Sequence, residues 1–91
     1  MNKTKSFHIT VYSDPGHSWG KVKKKVLDSL GIADKISPYS YQYADNVYLG
    51  EDCDLTLLVA RIREHGTRIV FKEKHTERQS RIRSYQSYTN A

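Results

Sequence analysis

Cysteine and long apolar runs are scarce in this chain, and each absence excludes a class of protein. The 91 residues include one cysteine, Cys53, so neither an intramolecular disulfide nor a multi-cysteine metal site can form. A lone thiol fits a reducing compartment. No stretch approaches the ~18 consecutive apolar residues of a membrane-spanning helix, and residues 1–5 lack the apolar core of a signal peptide. We therefore expect a cytosolic protein without a membrane partner.

Paired motifs for catalysis or metal binding are also missing. No two of the histidines, at positions 8, 17, 65 and 75, are three or four residues apart, the spacing that brings two ligands to one helix face. The acids Glu51, Asp52 and Asp54 are too crowded for a calcium-binding loop, and capping of a helix explains them more simply. The sequence therefore predicts no catalytic residue, no metal ligand and no cofactor, and it favours a protein that is not an enzyme.

Hydrophobic periodicity predicts a strand and then a helix in the first third of the chain. Residues 6–12 alternate apolar and polar side chains, which is the pattern of a strand with one buried face. A Ser-Asp-Pro-Gly turn follows at residues 13–16. From Trp19 to Leu30 the apolar residues recur at helical spacing, and Gly31 is suited to end that helix.

The middle and end of the chain predict further strands and a second helix. The turn Ala44-Asp45-Asn46 is compatible with a hairpin or with a single strand after a long loop. Residues 55–62 carry an apolar helical stripe that stops at His65-Gly66, and residues 67–73 have the composition of a strand.

These elements predict an α+β fold of order β-α-(β)β-α-β over residues 1–74. We expect a small two-layer domain, with one sheet of three or four strands and both helices on one face. Residues 75–91 are polar and basic, so they are expected to form a C-terminal arm. That arm is flexible unless Ile82, Tyr85 and Tyr88 dock it.

The net charge of +5 is segregated along the chain. Residues 20–35 are rich in lysine, residues 36–60 contain no Lys or Arg, and residues 72–91 are basic again. The middle segment supplies a candidate acidic contact patch, consisting of Asp45, Glu51, Asp52 and Asp54. Segregated charge indicates a surface made for a partner.

Candidate binding residues fall into three groups. His17 and Trp19 could stack a base beside Lys21, although Trp19 on an apolar helical face is more simply a core residue. The run Lys21, Lys23, Lys24 and Lys25 could follow a phosphate backbone or form an ordinary solvated helix face. The third group mixes cations with aromatic and apolar side chains, as single-strand nucleic-acid binding requires, and a solubilising tail is its alternative. Its members are Lys72, Lys74, His75, Arg78, Arg81, Arg83, Tyr85 and Tyr88.

Three stretches between residues 16 and 88 together resemble a family of small, mostly uncharacterised proteins encoded by tailed bacteriophages. The stretches are Gly16-His17-x-Trp19; Gly31-Ile32-Ala33-Asp34-Lys35-Ile36-Ser37-x-Tyr39-Ser40-Tyr41-Gln42 with Val47-Tyr48-Leu49-x-Glu51-Asp52-Cys53-Asp54; and His75-Thr76-x-Arg78 with Ile82-Arg83-Ser84-Tyr85. Where the family pattern has an acid, this chain has Gly50. The resemblance implies a phage accessory protein in the cytoplasm of an infected bacterial host, and it assigns no role to any residue.

Two functions follow as expectations. The first is a non-enzymatic phage protein that binds and modulates or inhibits a bacterial host or defence factor, since tyrosine and arginine are residues that protein interfaces favour. The alternative is direct binding of DNA or RNA through the lysines of the first helix and the C-terminal arm. The sequence does not choose between a protein and a nucleic-acid ligand, nor does it give an oligomeric state.

Overall fold

The structure, a computed structural model, describes residues 6–90 and is organised around one sheet. The elements are β1 (Ser6–Asp14), β2 (His17–Lys23), α1 (Lys24–Ser29), β3 (Tyr41–Tyr43), β4 (Asn46–Gly50), α2 (Asp54–Glu64), β5 (Arg68–His75) and β6 (Gln86–Ser87). The strand order is β5-β1-β2-β4-β3-β6. β5 runs parallel to β1 and the other neighbours are antiparallel. The prediction of three or four strands is therefore wrong, because the described residues form a mixed sheet of six.

The largest local correction concerns the segment predicted as the start of the first helix. Residues 17–23 form β2, which pairs with β1 through a tight hairpin, and only Lys24–Ser29 is helical. Trp19 and Val22 are three residues apart, so they share a face of a helix but lie on opposite faces of a strand. Both are buried, because both faces of this sheet are covered at β2. Apolar residues on both faces of β2 therefore have the same spacing as the apolar residues of a helix, and this spacing produced the wrong prediction.

β3 and β6 complete the sheet at its other edge. Ala44 adopts a positive φ of 53°, which closes a hairpin between β3 and β4, so the hairpin alternative is the one the chain adopts. β6 pairs with β3, with Gln42 opposite Gln86. It belongs to a segment so polar that its sequence carries no strand signal.

One face of the sheet packs against both helices. Ile9, Val22, Val47 and Leu49 project from three strands toward this layer, where they meet Leu27 of α1 together with Leu58 and Ile62 of α2. α2 occupies the predicted position and ends at His65, before Gly66 with its φ of 74°. This layer forms the main core.

The opposite face of the sheet holds a second, smaller core beneath the C-terminal segment. Trp19 of β2 and Tyr48 of β4 are buried there under Ile82, which lies in a 3₁₀ turn at Arg81–Ser84. The chain then continues through β6 to Tyr88, whose hydroxyl donates to the carbonyl oxygen of Ala33 at 2.6 Å. Residues 76–88, which lie within the expected arm, therefore run over the second face and around the β3 edge.

Candidate functional site

The half of the second face that the C-terminal segment leaves uncovered is the most unusual surface of the molecule. Because alternate residues of a strand project to the same face, the register defines which side chains share it. One row crosses the sheet from Lys72 through Thr10 to Lys21 and continues into the second core at Tyr48 and Tyr41. The next row contains His8, Lys23 and Tyr43. We call this surface the open face.

The open face is strongly basic. Its cations are Lys21, Lys23, Arg68, Lys72 and Lys74, and all except the half-buried Lys21 are exposed. Among the described strand residues that project to this side of the sheet, Asp14 is the one acid, and its carboxylate is bound by Arg83. The strands themselves therefore place no free carboxylate among these cations, and Asp28 and Asp45 border the surface only beside Lys23.

Tyrosines form the boundary between the open face and the second core. Tyr12 and Tyr48 meet edge to face with ring centroids 6.1 Å apart. Tyr85 then contacts Tyr48 at 5.2 Å and stacks on Tyr43 at 4.8 Å with an interplanar angle of 16°. Burial, followed by the proximity of Tyr85 and Tyr12, raises the pKa of Tyr48 to about 12, so its hydroxyl stays neutral. The boundary thus offers aromatic surface beside the lysines.

Asp14 anchors the C-terminal segment to the first hairpin. Its carboxylate accepts hydrogen bonds from the backbone N–H groups of Gly16 and His17 in the turn. It also accepts from the N–H of Ser80 at 2.9 Å and from Nε and Nη2 of Arg83 at 2.7 and 3.0 Å. The hydrogen bond from Arg83, followed by that from Ser80, holds the pKa of Asp14 well below its usual range. One residue therefore ties the turn to the segment that covers Trp19.

Replacing Asp14 by Asn should destabilise the protein in a pH-dependent way. A carboxyl with a depressed folded-state pKa stabilises the fold above its unfolded value, 3.8, and loses that contribution as the pH falls toward the folded value. We expect a lower urea midpoint for Asp14→Asn at neutral pH and a difference from wild type that shrinks below about pH 4. The exposed Asp52→Asn serves as the control, and an Asp14→Asn difference that is constant with pH would contradict this role.

The candidates His17 and Trp19 lie beside this anchor rather than on the open face. Their rings meet edge to face at 4.8 Å, and the Arg83 guanidinium lies 5.2 Å from the Trp19 ring centroid. His17 Nδ1 is 3.8 Å from Glu51 Oε1. Trp19 is 2% exposed, which makes it a core residue, as the simpler interpretation of the sequence has it. A base cannot stack on a ring buried to this degree.

The remaining basic candidates are dispersed over several surfaces. Lys24 and Lys25 begin α1, where they line a cleft with Asp28 and Asp45. His75 contacts Ser13 and Glu77 at the end of β5. Tyr88 is buried in the main core. Arg78 and Arg81 alone lie near the tyrosine boundary, on the loop between β5 and the 3₁₀ turn.

The acidic candidates do not form one patch. Asp45 lies in the turn before β4, whereas Glu51 and Asp52 follow that strand at its other end. Asp54 is buried and accepts hydrogen bonds from the hydroxyls of Ser37 and Ser40. It therefore positions a loop instead of capping α2 by its side chain, and Cys53, the exposed residue before it, makes no side-chain cap either.

The sequence did not predict that Lys72 and Lys74 share a surface with Lys21 and Lys23. The sequence assigns Lys21 and Lys23 to a helix and the other two to a C-terminal group. The available signal was the Lys-x-Lys spacing at 21/23 and 72/74, which places both lysines of each pair on one face of a strand. Using that signal required the knowledge that residues 17–23 are extended.

Within residues 6–90, no group of three or more His, Cys, Asp or Glu side chains is placed to hold a metal ion. In the same range, no helix has the length and apolar character needed to cross a membrane. No protein-family model, curated protein or solved structure matches the chain significantly.

Proposed function

We propose that the protein binds single-stranded nucleic acid on the open face. The observation that carries the proposal is the gathering of Lys21, Lys23, Arg68, Lys72 and Lys74 on one uncovered sheet surface. A surface with this charge gains free energy when it displaces the counterions condensed on a phosphate backbone. The tyrosine boundary adds a surface on which unpaired bases stack.

The shape of the open face favours a single strand over a duplex. The major groove of B-DNA is about 12 Å wide and admits a helix or a two-stranded ribbon. The five strands from β5 to β3 span about 19 Å at the usual strand spacing, so they cannot enter that groove. A flexible single strand can lie across the rows of lysines and turn its bases toward Tyr43, which is 60% exposed.

Neutralising four lysines of the open face should abolish most of the binding. The variant is Lys21→Gln/Lys23→Gln/Lys72→Gln/Lys74→Gln, and the measurement is fluorescence anisotropy with a labelled single-stranded oligonucleotide over a series of salt concentrations. We expect an affinity loss on the order of 100-fold at low salt. The magnitude of the slope of log K against log salt should fall by about 3, because each phosphate contact on a single strand contributes roughly 0.7.

The matched control removes the same charge from other surfaces. It is Lys24→Gln/Lys25→Gln/Lys35→Gln/Arg63→Gln, whose positions lie on α1, α2 and the short 3₁₀ turn at Ala33–Lys35. We expect it to retain affinity within about threefold. Equal losses in both variants would assign binding to net charge instead of the open face, and the absence of binding by wild type at low salt would overturn the proposal. Oligonucleotides of DNA and of RNA distinguish the two sugars.

A protein partner is the second candidate, favoured by the exposure of Tyr39 and Tyr43, which are 85% and 60% accessible. The resemblance to phage proteins supplies its setting, an infected bacterial cytoplasm, and its class of partner, a host or defence factor. Affinity purification from infected cells with and without nuclease separates the two candidates. A partner retained after nuclease treatment and lost in the Tyr39→Ala/Tyr43→Ala variant would support this function.

A further inference from the structure

A cleft of about 480 Å³ opens where the tyrosine boundary meets the loop between β5 and the 3₁₀ turn. Its volume lies within the range of small-molecule sites. Tyr12, Tyr48 and Tyr85 line the sheet side, and Thr76 and residues 78–82 line the other. The cleft adjoins the open face directly, because Tyr12 pairs with Lys74 across β1 and β5 and Tyr48 pairs with Lys21 across β4 and β2.

The tyrosine side of the cleft is suited to a flat aromatic group. Tyr12 and Tyr85 are half-buried, so each presents part of its ring to the cleft, whereas Tyr48 is 7% exposed and supports both from below. Rings fixed by neighbouring rings lose little conformational freedom when they receive a ligand. A planar base can pack on the ring surface that remains, beside Lys74, whose Nζ lies 5.9 Å from the Tyr12 ring centroid.

The loop side supplies positive charge, and the one acid of this loop, Glu77, is outside the residues that line the cleft and pairs with His75. The side chains of Arg78 and Arg81 line the cleft and are exposed. Neither forms an ion pair with another described residue, in contrast to Arg83, which is committed to Asp14. Guanidinium groups bind phosphate oxygens through two parallel hydrogen bonds. An aromatic floor beside two unpaired guanidinium groups matches the two chemical parts of a nucleotide.

We infer that this cleft is a nucleotide subsite, in which one base packs against Tyr12 and Tyr85 while Arg78 and Arg81 hold the phosphates on either side of it. The inference rests on the proposed function and extends it, since it assigns base recognition to the cleft and backbone attraction to the open face. The cleft is accordingly the point where the strand is read, and the lysines only retain it.

The test uses two probes that separate base from phosphate. The first is a single-stranded oligonucleotide compared with an abasic strand of equal length and charge. Stacking contributes about 1–3 kcal/mol per base, so wild type should bind the abasic strand roughly 5–150-fold more weakly. The second probe is uridine monophosphate, titrated while amide shifts are recorded by NMR. The largest shifts should fall on Tyr12 and residues 76–82.

Two variants address the two sides of the cleft. Tyr12→Leu should reduce the difference in affinity between the intact and abasic strands, because one of the two rings that contact the base is lost. Arg78→Gln/Arg81→Gln should weaken binding of both strands on the order of 10-fold, whereas the charge-matched Lys35→Gln/Arg63→Gln should change it less than about twofold. The arginine pair is exposed and makes no side-chain ion pair in the described range, so its replacement leaves the fold intact even if Tyr12→Leu lowers stability.

Failure of the subsite and failure of the proposed function give different results. If intact and abasic strands bind equally to wild type and uridine monophosphate shifts no amide of the cleft, the subsite is wrong while the open face remains a phosphate-binding surface. If no strand binds at low salt, the proposed function is wrong. Shifts at residues 76–82 with the mononucleotide alone would still support the cleft.

Discussion

A chain that ends at Gln79 is expected to be largely unfolded at room temperature. The truncation removes Ile82 and Tyr88, which are 3% and 7% exposed, together with β6. It also uncovers Trp19 and Tyr48 on the second face of the sheet. Burial of one large aliphatic side chain contributes about 1.5–3 kcal/mol, so the total loss should reach on the order of 5 kcal/mol or more.

That loss is comparable to the whole stability of a domain of this size, which is about 5–15 kcal/mol. The truncation also leaves Asp14 without Arg83 and without the N–H of Ser80. We expect a melting temperature at least about 20 °C below that of the full chain, measured by circular dichroism. The control ends at Thr89 and should melt within a few degrees of wild type. Equal melting of the Gln79 truncation and the full chain would mean that the C-terminal segment is an independent arm.

Gly20→Val is expected to cost about 3 kcal/mol, because overpacking of a filled core forces side chains off their rotamers. A Cβ placed on Gly20 would lie 2.5 Å from Cδ1 of Leu55 and 3.2 Å from Cγ2 of Ile9. Gly20 is thus the position in β2 that lets α2 sit close to the sheet. Chemical denaturation should show a reduced midpoint with an unchanged slope.

Gly50 is the matched control for Gly20. It lies on the adjacent strand, and its Cβ would meet the end of the His17 ring at 3.4 Å, an ordinary contact. Gly50→Ala should therefore change stability by less than about 1 kcal/mol. Because the clash at Gly20 involves Leu55, the pair Gly20→Val/Leu55→Ala should be less destabilised than the sum of its single changes. If the losses of stability from the two single changes simply add, the strain in Gly20→Val does not come from contact with Leu55.

The sequence predicted the position of α2 but not the start of α1. α2 packs on one side only, so the period of Leu55, Leu58 and Ile62 reports its structure directly. The segment before α1 contributes Val22 to the main core and Trp19 to the second core. No local pattern distinguishes a strand buried on both faces from a helix, since the second face is covered by residues about 60 positions later in the chain.

For the candidate site, too, the sequence predicted the kinds of residue but not their positions in space. Lysine and tyrosine content predicted a binding surface rich in cations and aromatic groups. The content did not predict which lysines share a surface. Lys21 and Lys72 come to one face only because β1 pairs with both of their strands. The acidic residues were adjacent in sequence, yet Asp54 turns inward to the serines while Glu51 contacts His17.

Local information in the sequence determined one strand beginning near Ser6, the helix from Asp54 to Glu64, the last long strand and the segregation of charge. Each of these depends on spacing within a short window. The tertiary structure decided that residues 17–23 are extended and that the C-terminal segment covers one half of the second face, leaving a basic surface on the other half. Those outcomes depend on contacts between distant residues, such as Asp14 with Arg83 and Trp19 with Ile82, and no short window contains both partners.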